Sequence, residues 1–454
     1  MPSANADHAD HADHAAGRAD VADVADVADV ADVADLADLA DLGLDEGGHL
    51  LVDRALNRLE PGGRLTVTGR HPALATHLAA WCRAHGHRLG GASGPASAVG
   101  PVGSVGPVGS VGAAGIADGN ADTPLVIVKG SADQQRWSGA ERAGSAAGPP
   151  EARADPRWGL AARGALVEAG GPPIGAHWSE REHIWADIAP TLYAAAAAAQ
   201  WDPATAVDWG APIDAVPPEI ERAVVQVMTY LVENEQAALI IPARLLSQLH
   251  PHYREVMQLL ATQAADEARH VEVFTRRGLL SGGTLGTSSA GGRASLATLL
   301  NEPDFTTASF LLSVLGEGTF VDLLRFLHGH APDPVTADVT RLALRDEARH
   351  VAFGVAHTAH LARSDPGYLG TLRQSVERRH AALQDTAGLN AEVFDSLVLL
   401  AAGSWEPSAI RRGWQSVRDL QARMDEGRRR RLAAIGFPDD EAAELSALHT
   451  RNFM

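Results

Sequence analysis

Asp266-Glu-Ala-Arg-His-Val271 recurs unchanged as Asp346-Glu-Ala-Arg-His-Val351. Each copy contains Glu-x-x-His. Residues three apart share a helix face, so each copy aims a carboxylate and an imidazole at one point. One such pair is commonplace. Two identical pairs, each about thirty residues after another Glu on an apolar stripe, form a metal-site pattern. Two surface helices with incidental Glu/His pairs would explain neither the duplication nor the heights at which the motifs fall.

Those heights follow from helical rise. Glu235 lies about fifteen residues before the turn signal at His250-Pro251, and Glu267 about sixteen after it. At 1.5 Å per residue these are roughly 22 Å and 24 Å, so the two carboxylates of an antiparallel hairpin end level. Glu317 and Glu347 stand about fifteen and thirteen residues either side of Ala331-Pro-Asp-Pro334, again matched within about a turn. Two packed hairpins would bring four carboxylates and two imidazoles to one level.

That is the ligand set of di-iron and di-manganese carboxylate bundles: a lone Glu from two helices and Glu-x-x-His from the other two. Residues from about Pro217 to Pro366 resemble the ferritin-like superfamily in its oxygen-activating branch, which includes ribonucleotide reductase small subunits, bacterial multicomponent monooxygenases and the p-aminobenzoate N-oxygenase group. The resemblance implies a mainly α fold, a ferritin-like four-helix bundle with extra helices. It implies two iron ions, as Fe/Fe or Fe/Mn, held by Glu235, Glu267, His270, Glu317, Glu347 and His350, which would also be the catalytic set. It further implies an O2-dependent oxidoreductase, a mono-oxygenase or oxidase of a small organic substrate. An electron-donor protein and a homodimeric state are compatible with this reading. The alternatives are an iron-binding or ferroxidase protein with no organic substrate, and a sulfur-trafficking or interaction protein using the bundle as scaffold.

Several positions carry competing readings. Glu235 competes with Glu233. It continues the apolar stripe Val224, Met228, Leu231, Leu239, whereas Glu233 lies about 200° round the axis and suits a solvated charge. Glu317 sits on the stripe Phe310, Val314, Val321, Leu324. Its neighbours Gly316 and Gly318 would leave space beside a metal or allow close helix packing. Asp266 and Asp346 can accept the outer ring N–H of a ligand His, with Arg269 and Arg349 neutralising them. The alternative for these four is exposed helix salt bridges. His357 and His360 fall roughly 10 and 15 Å along the axis from His350 and are read as non-ligands. Carboxylates with imidazoles suit iron or manganese better than zinc or copper. In reductase small subunits a radical Tyr often stands one turn after the first motif's His. Position 274 is Phe, which argues against a stable tyrosyl radical.

The rest of the chain sets the context. Its 454 residues allow two or three domains, and 45% are apolar, ordinary for globular protein. Twelve Asp in residues 7–45 supply much of the net charge of −19. With no concentrated basic patch, nucleic acid is not an expected partner. No apolar run of eighteen suggests a membrane span; the apolar stretch Ala237–Leu246 is short and contains Arg244. The single Cys, Cys82, suits a reducing cytoplasm.

Residues 1–42 read as a low-complexity tail, because a period of three gives no lasting apolar face. Its His8, His11 and His14 could hold a metal only weakly. Residues 43–130 read as a small α/β domain with a disordered insertion at 90–122, residues 131–180 as linker, 181–435 as the helical di-metal domain and 436–454 as a tail. Within the α/β domain, Leu56–Thr68 and the Ala80–His87 stretch Ala-Trp-Cys-Arg-Ala-His-Gly-His resemble a TusA-like sulfurtransferase. That family's nucleophilic Cys should open the first helix near Gly48–Leu51. The stretch reads Gly-His-Leu-Leu, so the domain is expected to dock or regulate, not to carry persulfide. Cys82 reads as a packing residue, with persulfide transfer as its alternative.

Overall fold

The structure is a computed structural model. It describes residues 35–90, 124–213, 215–383 and 391–448. Expectations for His8, His11 and His14, and for nearly all of the 90–122 insertion, fall outside these residues. The chain divides after Ser138 into two compact units.

The first unit is a four-stranded sheet with two helices. In chain order it runs β1 (Asp35–Asp38), α1 (Gly48–Leu56), β2 (Arg64–Thr68), α2 (Leu74–Ala84), β3 (Arg88–Gly90) and β4 (Leu125–Val128). The sheet order is β1-β2-β4-β3, with β1 and β2 parallel and the other pairs antiparallel. Alternation in Arg64-Leu-Thr-Val-Thr68 puts Leu65 and Val67 into a core with Val52, Leu56, Leu78 and Ile127. One expectation is corrected: Asp35–Asp38, read as part of the 1–42 tail, is a strand paired with β2, and Leu39 N–H donates to Thr68 O at 2.8 Å. Triplets carry no period of two, so only the partner strand fixes this segment. The short β3, which carries no clear pattern, pairs with β4 through Arg88–Gly90.

The second unit is helical. It opens with the two-stranded pair β5 (Glu141–Arg142) and β6 (Leu166–Val167), then α3 (Ala189–Ala198). The bundle follows: α4 (Pro218–Leu246), α5 (Arg254–Gly278), the capping helix α6 (Ala290–Leu300), α7 (Phe305–Ser309), a π-helical segment Phe310–Glu317, α8 (Gly318–Gly329) and α9 (Pro334–Ser364). α10 (Tyr368–Leu383), α11 (Ala391–Ala402), α12 (Pro407–Ile435) and α13 (Asp439–Leu448) pack around it. α4 pairs with α5, and the rod α7–π–α8 pairs with α9, as the turn positions predict.

The bundle is fixed at one end by a buried cation. Arg277 of α5 is fully buried and pairs with Glu221 of α4 at 2.8 Å and Asp333 at 2.7 Å. Asp333 also caps α9 by accepting from Thr336 N–H at 2.8 Å, with Pro334 opening the helix.

Residues 139–180 are not a free linker. Besides bonds within the segment, several contacts tie it to the α4–α5 turn. Glu151 N–H donates to His252 Nε2 at 3.0 Å, Tyr253 Oη donates to Ser179 O at 2.7 Å, and Arg163 pairs with Glu255 at 3.1 Å. Such irregular backbone needs specific partners when it is covered. The expected C-terminal tail is corrected too. Phe437 and Leu445 are buried, and Arg373 of α10 binds Glu441 and Glu444 at 2.6 and 2.9 Å.

Candidate metal centre

α4, α5, the π segment and α9 each deliver their predicted residues to one buried point. Glu235, Glu267, His270, Glu317, Glu347 and His350 are all at most 5% exposed. Their donor atoms form two overlapping groups, each within 4.8 Å: Glu235, Glu267, His270 and Glu347, and Glu267, Glu317, Glu347 and His350. Glu267 and Glu347 belong to both. Each group could hold a cation, and the two carboxylates are common to both. Glu233 is only half-buried and belongs to neither.

Each imidazole points Nδ1 inward. His270 Nδ1 lies 3.0 Å from Glu267, 3.4 Å from Glu347 and 3.6 Å from Glu235. His350 Nδ1 lies 3.0 Å from Glu267, 3.5 Å from Glu347 and 4.0 Å from Glu317. The outer nitrogens cross between motifs. His270 Nε2–H donates to Asp346 and His350 Nε2–H to Asp266, both at 3.3 Å. These bonds fix a proton on Nε2 and aim Nδ1 at the carboxylates, where it would become a ligand atom once a metal ion displaced its proton.

The Asp and Arg residues are not exposed helix pairs. Asp266 and Asp346 are about 1% exposed or less, and each meets both guanidinium groups. Arg349 contacts Asp346 at 2.5 Å and Asp266 at 3.2 Å, while Arg269 contacts Asp266 directly and Asp346 at 3.5 Å. Two cations thus offset the two aspartates just outside the carboxylate cluster.

Burial, then the Glu267 and Glu347 carboxylates, push Glu235 well above the usual carboxyl range. Burial and then Glu347 do the same to Glu317. Burial also raises Glu267, but His350 and His270 outweigh it and hold that carboxyl low. Burial lowers the two imidazoles, yet Asp346 with Glu235, and Glu267 with Asp266, bring His270 and His350 well above the ordinary value. The cluster therefore retains protons where cationic charge is needed.

The donor set fits metal ions. Glu235 Oε1, Glu317 Oε2 and both oxygens of Glu347 are buried without a hydrogen-bond partner, while Glu267 Oε1 and His350 Nδ1 face each other at 3.0 Å. Unpartnered buried carboxylate oxygens are costly, and a cation at their centre would satisfy them together.

Some neighbours carry no legible sequence signal. Trp201 Nε1–H donates to Asp346 at 2.7 Å, and its ring stacks 6.5 Å from that of His270. Gln200 donates to Asp266 at 3.2 Å. Both lie just past α3, more than sixty residues from their partners. Gln263 donates to Glu317 at 3.0 Å. It stands one turn before Glu267 on the same face, a position that could have flagged it. Phe274 is fully buried 6.2 Å from the His270 ring. His357 bonds Thr306 and the Trp185 carbonyl at 2.9 and 3.0 Å and lies outside both donor groups. The two glycines differ in role. Gly316 lines a cavity of about 20 Å³ with Glu235, Glu317 and Glu347. A side chain at Gly318 would meet the Arg431 guanidinium, which holds the Val314 carbonyl at 2.7 Å.

No protein-family profile matches the chain, and no curated protein does. Among solved structures it is similar to an R2-like ligand-binding oxidase variant with an anaerobically reconstituted Mn/Fe cofactor. Identity is 16%, covering 52% of this chain and 92% of that one, at a TM-score of 0.41. An aerobically reconstituted Mn/Fe variant gives 17%, 57%, 93% and 0.40. The R2-like ligand-binding oxidase from Sulfolobus acidocaldarius gives 15%, 53%, 91% and 0.37. Overlap this slight leaves the site to be read from its own geometry.

Proposed function

We propose that the second unit is a di-metal oxidoreductase that uses O2 to oxidise a small organic substrate, as an oxidase or oxygenase. The observation that carries this is the pair of overlapping donor groups sharing Glu267 and Glu347 in a buried interior. Glu235 with His270 would complete one half-site, and Glu317 with His350 the other. Oxygen-rich donors favour iron, or iron with manganese. Such ions, when bound, supply electrons to O2; that chemistry belongs to the cofactor.

This chain's residues hold and insulate the site. Asp346 and Asp266 fix the imidazole tautomers through the crossed bonds. Gln263 holds Glu317 by one oxygen and leaves the other free. Leu296, Leu299, Leu312 and Phe320 line the cavity with apolar surface and exclude bulk water. A second reading, iron oxidation without an organic substrate, draws on the narrowness of that cavity, which is room for about one water.

An oxygen electrode tests the reading. Iron(II)-loaded chain should consume O2, and Glu317→Ala with His350→Ala should abolish the uptake while leaving the helical circular dichroism unchanged. No uptake above that of free iron(II) by the unsubstituted chain would refute it.

A further inference from the structure

The π-helical segment that ends on Glu317 is held from outside by one side chain. Gly318 N–H still reaches back five residues, to Ser313 O, whereas α8 beyond it has four-residue spacing. A helix that returns from five to four passes one carbonyl over. The two carbonyls after Ser313 are both taken by side chains. Val314 O accepts from Arg431 Nε–H of α12 at 2.7 Å, and Leu315 O from the Thr319 hydroxyl at 2.6 Å. Thr319 bonds within its own turn. Arg431 comes from another helix, 117 residues away.

The surroundings leave room for this guanidinium. Gly318 is buried, and a Cβ there would lie 2.5 Å from Arg431 Cζ. Gly427, one turn before Arg431, is buried as well, and a Cβ there would lie 3.1 Å from Nη1. Among the described residues no carboxylate lies within ion-pair distance of Arg431; Asp322, which acts on it by charge, pairs instead with Arg325 at 2.8 Å. Its Nη2 is buried without a partner. Drawing a cation this far from water for a single carbonyl is costly, and an apolar side chain would fill the same space without that cost.

Val314 stands three residues before Glu317 and is fully buried, so its carbonyl needs a donor. In the π form Glu317 lies 4.0 Å from His350 Nδ1 and accepts from Gln263 at 3.0 Å. Closing the segment to α spacing would offer Val314 O a backbone donor, and would turn Glu317 about the rod axis and off the cluster. We propose that Arg431 is a positioning residue for Glu317. It occupies the carbonyl that an α turn would claim, keeps the segment in its π form, and so sets the reach of the Glu317 carboxylate towards a metal ion beside His350. The step to the metal rests on the di-metal reading; the hold on the segment does not.

Two measurements on the full chain test this. Hydrogen exchange of the metal-free protein reads the segment. In Arg431→Met the amides of residues 314–319 should exchange about tenfold faster, with α5 unchanged, and Arg431→Lys should recover most of the protection. Manganese(II) titration followed by electron paramagnetic resonance reads the consequence. Arg431→Met should weaken one of two ions by about tenfold. Arg431→Met combined with Glu317→Ala should bind no more weakly than Glu317→Ala alone, since both act on one ligand. Should the Met variant fold poorly, Arg431→Gln, whose side chain stops short of Val314, carries the same expectations. Unchanged exchange in the segment, protection lost equally throughout the bundle, or additive losses in the double variant would overturn the proposal. Faster exchange confined to the segment, in a chain that binds no manganese(II) before substitution, would uphold the hold on the segment and sink only the di-metal reading.

Discussion

At the residue scale the site depends on a crossed arrangement. Each imidazole takes its inward carboxylates partly from its own motif and its outer acceptor from the other. Asp346→Asn should therefore weaken the half-site of Glu235 and His270, about 10–100-fold in metal affinity, and Asp266→Asn the half-site of Glu317 and His350. Titration with manganese(II) followed by electron paramagnetic resonance would resolve one weakened site in each variant. Loss of the site belonging to the substituted residue's own motif would contradict the crossing. The six clustered residues were legible because Glu-x-x-His is a local helical pattern and the turn signals fix its height. The Asp and Arg roles were legible in kind, from charge next to a ligand. Trp201 and Gln200 were not, since a loop contact over that sequence distance leaves no periodic trace.

At the element scale, the π-helical segment Phe310–Glu317 is the part that propensity cannot reveal. Apart from Ser313 and Glu317 its residues are apolar or glycine, and all eight are buried, so an α reading and a π reading share the same pattern. π segments recur at functional sites, and this one ends on Glu317. It packs against Gly354, one turn past His350. A Cβ there would lie 2.5 Å from Ser313 Cβ. Gly354→Ala should overpack this contact by about 1–3 kcal/mol, less about 1 kcal/mol of gained helix propensity. Urea unfolding should show a net loss of stability and weaker metal retention at Glu317 and His350. A gain in stability would mean that α9 can move freely from the segment. Residues 139–180 teach the converse lesson. Gly, Pro and Arg richness suggested linker, yet His252, Tyr253 and Glu255 hold this backbone in place by contacts across about a hundred residues.

At the scale of the whole molecule, the two units carry different weight. In the first, Cys82 is 1% exposed, and burial pushes its thiol up to about 11. A thiol so raised supplies little thiolate at neutral pH, which agrees with a packing role. Among the described residues no helix is long and apolar enough to cross a membrane. In the second unit, burial lowers His357 to about 4, and it is held neutral between Thr306 and the Trp185 carbonyl. Its unfolded value is about 6.5, so between these values the unfolded chain binds the extra proton. Stability from this group is complete above about pH 6.5 and falls as the pH drops towards 4, by up to about 1.4 kcal/mol per pH unit. His252, also lowered to about 4 by burial, acts in the same direction. Melting temperature should drop between pH 7 and pH 5, and the drop should be smaller in His357→Gln. Equal drops in both proteins would show that this histidine is protonated in the fold.

The central claim is that four helices build two half-sites around Glu267 and Glu347. Metal content of the full chain, reconstituted with iron(II) under anaerobic conditions and desalted, tests it most directly. Two ions per chain are predicted, with one or fewer in His270→Ala at unchanged helix content. Less than half an equivalent in the unsubstituted chain, or two ions still bound in His270→Ala, would contradict it.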